Sequence, residues 1–257
     1  MEAAVKKMVY RFVGVVVLVL SQFTLAAGSP LLDSELEQFK KDFSSNDASI
    51  AGLFQRLSWT GITDSSLFEM IKARVQNSYM DTNEATVETN AYLVRTLALS
   101  GNEKYKEFFT FIQRSEAPKK LRRHAKMAAH RIDGFTRANA IIAQNNEKAV
   151  TQDELNKLRI SNMIGSTFIE VAGEGARRVN DFYRTDPTLV GEVNKALLDS
   201  YKGAFDDESI DALTWMCRVL GNSGYKEYKS TLNEISANAS AHKKVRSAAK
   251  KYAAYLN

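Results

Sequence analysis

The sequence predicts an all-α fold: an α-solenoid of antiparallel helix pairs, organised as two duplicated halves. Three observations lead there. The segment at about residues 63–132 recurs, with changes, at about 185–256, and self-similarity at a long period is the mark of repeat folds. Apolar residues return at spacings of three and four through both copies, the period of a helix with one buried stripe. No stretch after the N-terminal apolar run sustains the alternation of a half-buried strand.

The N-terminus reads as a leader. Lys6, Lys7 and Arg11 flank the apolar run Phe12–Leu20, and Thr24-Leu25-Ala26-Ala27-Gly28 supplies small residues for cleavage. This is the layout of a secretory signal peptide over residues 1–28, with cleavage after Ala26 or after Gly28. An uncleaved anchor in the inner membrane is the alternative, although Ser21, Gln22 and Thr24 leave the run short for a span. Without the leader, residues 29–257 form one domain of about 229 residues, long enough for a substantial core. The formal charge then falls from +5 to about +3, so the basic balance is partly a property of the leader.

Two apolar segments, Leu36–Phe43 and Ile50–Leu57, precede the first copy. The copy itself divides into four helices. Leu67, Ile71 and Val75 mark the first, and Val87, Asn90, Val94 and Leu97 the second. Tyr105, Phe108, Phe109 and Ile112 mark the third, and Leu121, Ala125, Ala128 and Ile132 the fourth. Between the copies, Ala143–Lys148 is a polar connection. Helices are expected at about 154–165 and 168–183, and this pair matches the two segments ahead of the first copy. The second copy answers stripe for stripe. It places Leu189, Val193 and Leu197; then Ile210, Leu213, Cys217 and Leu220; then Tyr228, Thr231, Leu232 and Ile235; and finally Val245, Ala249, Tyr252 and Leu256.

The joints between these helices carry turn chemistry. Thr63-Asp64 and Thr185-Asp186 stand where a short oxygen side chain caps a helix N-terminus, and Pro187 suits a first turn. Ser100-Gly101 and Ser223-Gly224 follow the second stripe of each copy, where a glycine can close a helix in the left-handed conformation. The offset between copies is 122 at Thr63 and Thr185, 123 at Ser100 and Ser223, and 124 at Lys119 and Lys243. Both slips fall in turns, near Met80–Glu84 and Ala117–Lys119, where an insertion leaves the stripes in register. The Ser-Gly turn, the aromatic Tyr105 or Tyr228, and the basic helix with Ala125 or Ala249 facing inward resemble HEAT-like repeats. The resemblance implies a stack of helix pairs and carries no shared chemistry. An irregular helical bundle with a duplicated half is the alternative.

Little in the chain points to catalysis, and no enzyme, metal or cofactor is expected. The three histidines include His124 and His130, six apart and so out of alignment on a helix, whereas a helical zinc pair is spaced by four. The lack of a His-Glu dipeptide sets the chain apart from iron-binding HEAT-like hydroxylases. Gly173-Glu174-Gly175 lacks the strand and the lysine of a phosphate loop, and is expected to be a helix irregularity or a turn. Asp206-Asp207-Glu208 stands before a helix, where acids meet its positive end. Cys217, the single cysteine, excludes an internal disulfide and takes the place of Val94 on a stripe, as a buried thiol.

The basic helices remain. Lys119, Lys120, Arg122, Arg123, Lys126 and Arg131, with Lys243, Lys244, Arg246, Lys250 and Lys251, make eleven cations with no acid among them. Such clusters hold anionic surfaces by screened attraction, although a solvated outer face would look the same. Trp59, Tyr92, Phe108, Phe109, Phe111, Trp215 and Tyr225 are further candidates for a concave surface, or for packing between helices. The expected function is a non-catalytic, periplasmic protein-binding or scaffolding module, with a protein or peptide of the cell envelope as partner. The alternative is a binder of anionic lipid or lipopolysaccharide acting through Lys119, Lys120, Arg122, Arg123, Lys126, Lys243, Lys244, Arg246 and Lys250. Nucleic acid does not fit an exported chain.

Overall fold

The computed structural model describes residues 29–45, 49–203 and 206–256. The expected leader at 1–28, its two cleavage points and the anchor alternative lie outside these residues. The described residues are all-α: twelve α-helices and no strand. None of the helices is long and apolar enough to cross a membrane.

Local chemistry fixes each helix end. α1 (Pro30–Ser44) opens on a proline, and α2 (Ile50–Leu57) on Ser49, whose hydroxyl accepts from the Gly52 N–H. The first copy supplies α3 (Ser65–Ser78), α4 (Glu84–Ala98), α5 (Lys106–Arg114, entered through a 3-10 turn at Glu103–Tyr105) and α6 (Lys119–Ile142). α7 (Gln152–Ile164) and α8 (Ile169–Phe182) follow. The second copy gives α9 (Pro187–Ser200), α10 (Asp207–Asn222), α11 (Tyr228–Ala237) and α12 (Lys243–Ala253). Asp64 accepts from the backbone N–H groups of Ser66 and Leu67 at 3.0 and 3.2 Å. Asp186 does the same for Thr188 and Leu189 at 3.0 and 3.1 Å. Asp206 caps α10 through the Ser209 N–H, with Asp207 and Glu208 in the first turn.

The Ser-Gly turn is one device used twice. The Ser100 hydroxyl donates to the Leu97 carbonyl and accepts from the Asn102 N–H; Ser223 donates to Leu220 and accepts from Tyr225. Gly101 and Gly224 both take left-handed φ, 62° and 80°.

The stripes form the cores. Almost every residue named in them is buried, Tyr228 and Thr231 being only partly so. One apolar cluster fills α1 to the first half of α6, and a second fills α7 to α12. Burial of each large aliphatic side chain contributes about 1.5–3 kcal/mol. The two clusters are built to one plan. α1 touches α2 and α3, as α7 touches α8 and α9; α2 meets α4 as α8 meets α10; and α6 packs on α4 and α5 as α12 packs on α10 and α11. The correspondence therefore extends to α1 and α2, ahead of the clearly duplicated segment.

The halves are joined by more than the connection at 143–151. α6 continues past Ile132, the last position matched in the second copy. There Asn139 donates to the Leu99 carbonyl at 2.7 Å, and Ile142 joins Met163, Val171 and Trp59 in a small third cluster. Arg159 of α7, 1% exposed, donates through both terminal nitrogens to Glu35 of α1 at 2.8 and 2.6 Å. Trp59 stacks on Phe182 of α8, and the Arg178 guanidinium lies over Trp59.

One expectation is corrected. Gly173-Glu174-Gly175 is neither an irregularity nor a turn; it lies inside α8. A Cβ on Gly173 would stand 2.5 Å from the Ala212 Cβ of α10, and one on Gly175 2.9 Å from the Met163 Cβ of α7. The glycines let two neighbours approach α8 at once, a requirement of tertiary packing invisible to a local motif.

Candidate functional site

The basic residues are where a helix turns away from its core. Leu121, Ala125 and Ala128 face inward on α6, which leaves Lys119, Lys120, Arg122, Arg123 and Lys126 exposed. On α12, Val245, Ala249 and Tyr252 face inward, Lys243, Lys244 and Lys250 are exposed, and Arg246 is half-buried. One lysine of each opening pair has an acidic neighbour. Lys120 pairs with Glu88 of α4, and Lys244 stands 3.9 Å from Asp207 of α10. Among the described residues no carboxylate lies within ion-pair distance of Lys119, Arg122, Arg123, Lys126, Lys243, Arg246 or Lys250. The cations stay in two groups, one on each half.

A second pattern lies on the helices beside them. On α4, Glu88, Tyr92 and Arg95 stand at i, i+4 and i+7, one stripe on a half-exposed face. On α10, Asp211, Trp215 and Arg218 stand at the same spacing and at the matched positions of the second copy. The Arg95 guanidinium lies 5.2 Å from the Tyr92 ring centre and 4.5 Å from that of Phe54 on α2. The Arg218 guanidinium lies 4.6 Å from the Trp215 ring centre, and Arg177 of α8, paired with Asp211, approaches the same ring at 5.2 Å. A guanidinium close to an aromatic face gains cation–π attraction. Neither Arg95 nor Arg218 has a carboxylate within ion-pair distance among the described residues.

His124, on α6 beside this stripe, senses the local charge. Burial first, then the positive charges of Arg95, Arg123 and Lys120, push its imidazole pKa down, so it is neutral at pH 7.

The other candidates have structural places. His130 is exposed, and the His242 ring caps α12 by accepting from the Lys244 N–H. Cys217 is fully buried, and burial pushes its thiol pKa up to about 12, which leaves it unreactive as folded. Phe108 and Phe109 belong to the first core, and Tyr225 donates to the Thr185 carbonyl. Phe111 is exposed beside Tyr79. Among the described residues no group of His, Cys, Asp or Glu is arranged to hold a metal ion. A cavity of about 480 Å³ opens between α7, α8 and α9, with Ser161 donating to Glu192 at 3.0 Å in its wall.

Sequence reasoning named Tyr92 and Trp215 among its aromatic candidates but missed Arg95 and Arg218. The signal was present: both arginines follow their aromatic by three, and an offset of 123 relates them. No family model, curated protein or solved structure matches the chain.

Proposed function

We propose that this chain is a non-catalytic binding module of HEAT-like repeats, exported to the cell envelope, that holds a protein or peptide partner. The supporting observation is the acid–aromatic–arginine stripe placed twice at matched positions, on α4 and α10. Packing accounts for the shared apolar stripes. It does not account for half-exposed rings carrying arginines without a carboxylate partner. Aromatic and arginine side chains are the commonest anchors of protein interfaces. A stack of helix pairs, with α2, α4 and α6 in contact in sequence and α8, α10 and α12 repeating the series, offers the extended surface that solenoids use.

The test is a pull-down from envelope extract with the unaltered chain and with a Tyr92→Ala, Trp215→Ala variant of unchanged thermal stability. A partner retained by the first and lost from the second is expected. No partner above the level of an unrelated helical protein would reject the reading.

A second reading, an anionic lipid or lipopolysaccharide binder, is favoured by the exposed cations of α6 and α12. Co-sedimentation with phosphatidylglycerol vesicles should then fall as salt rises, and fall again when Lys119, Lys120, Arg122 and Arg123 become Gln. Binding indifferent to both changes would reject it.

A further inference from the structure

We infer that each half carries one receptor for an acidic side chain of a peptide partner, Arg95 with Tyr92 in the first half and Arg218 with Trp215 in the second. The inference rests on the proposed protein-binding function and adds the chemistry of the contact, the residues that make it and the number of sites. Three observations support it.

The first is geometry. Each guanidinium lies against a ring, Arg95 at 5.2 Å from Tyr92 and 4.5 Å from Phe54, and Arg218 at 4.6 Å from Trp215. A planar guanidinium fork matches a carboxylate in two parallel hydrogen bonds, which a lysine cannot reproduce.

The second is unmet demand. The buried Arg159 and Arg178 and the half-buried Arg177 are paired with carboxylates. Among the described residues the half-buried Arg74, Arg95, Arg218 and Arg246 have no carboxylate within ion-pair distance. Arg74 lies over Phe43 but has Ala196 at its place in the second copy, whereas Arg95 and Arg218 keep both the arginine and the ring at matched positions.

The third is the make-up of the stripe, which selects the partner. Glu88 and Asp211, two turns before the arginines, are taken up by Lys120 and Arg177, which leaves the arginine beside the ring as the unpaired charge of each stripe. A peptide segment can present one acid to the arginine and an apolar residue to the ring, and leave the acidic end of the stripe untouched. Charge complementarity at single-residue scale therefore favours a peptide over a lipid surface.

The experiment titrates the isotopically labelled chain with the peptide acetyl-Glu-Phe-Glu-amide and follows the arginine Nε–Hε signals by NMR. Arg95→Lys and Arg218→Lys assign the two signals. Both signals of the unaltered chain should shift and saturate with similar dissociation constants. Each substitution should weaken its own site by about tenfold or more, read from the backbone amide of Tyr92 or Trp215 beside it, and leave the other arginine's titration unchanged. If one variant fails to fold, the behaviour of both signals in the unaltered chain still decides. Peptide binding that moves only backbone signals of α6 and α12 would overturn the inference and leave the protein-binding reading standing. No response to peptide anywhere, with the two arginine signals moved by phosphatidylglycerol vesicles, would overturn both.

Discussion

At the scale of the residue, ionisation and burial compete most visibly at Glu192. Burial first, then the nearby charge of Asp186, raises its carboxyl pKa above the ordinary value of 4.5, against the lowering effect of the Ser161 hydroxyl. Below pH 4.5 both folded and unfolded chains hold the proton, and the group costs nothing. As pH rises, the unfolded chain ionises first, so stability is lost until pH passes the raised folded value. Glu192→Gln should therefore raise the melting temperature at pH 7 and leave it unchanged at about pH 3.5. Thermal unfolding at both pH values checks this, and an equal gain at both would show that charge is not the cause. Arg95 and Arg218 belong to the same scale. Each side chain was legible as a cation, but whether a carboxylate stands in reach depends on the fold around it.

At the scale of the element, helix ends were more legible than helix neighbours. Asp64, Asp186 and the two Ser-Gly turns act within a few residues of themselves, so their roles could be read along the chain. The glycines look alike in sequence and separate only in the fold. Both Gly101 and Gly224 carry the left-handed backbone, which costs a residue with a Cβ about 1 kcal/mol. A Cβ on Gly224 would meet nothing within 4 Å, whereas one on Gly101 would stand 2.7 Å from the backbone of Thr136 on α6. Gly224→Ala should cost about 1 kcal/mol, and Gly101→Ala a further 1–3 kcal/mol because the α4–α6 joint must open. Urea unfolding of the two variants decides, and equal costs would contradict the close approach. Gly173 and Gly175 teach the same lesson: their local pattern suggested a break in the helix, while packing from two sides required an unbroken one.

At the scale of the whole molecule, the halves are held together by groups that no periodicity marks. The Glu35–Arg159 pair joins helices 124 residues apart, and Arg159 is almost wholly buried. Removing Glu35 leaves an uncompensated charge inside, so Glu35→Ala should cost about 3–5 kcal/mol. Exchanging both residues for Leu should recover most of that loss. Denaturant unfolding of the single and double variants checks the coupling, and additive losses would mean that the pair does not act as a unit. By itself the sequence determined the all-α class, the duplication, the buried stripes, the caps and the turns, because each depends on residues within a turn or two of one another. It also set out two basic helices, since a face turned from the core can be read from the stripe opposite. The tertiary structure alone decided that α6 runs on to meet the second half. It alone left the matched Arg95 and Arg218 beside rings with no carboxylate in reach among the described residues. These depend on distances between residues far apart in the chain, which composition and spacing do not encode.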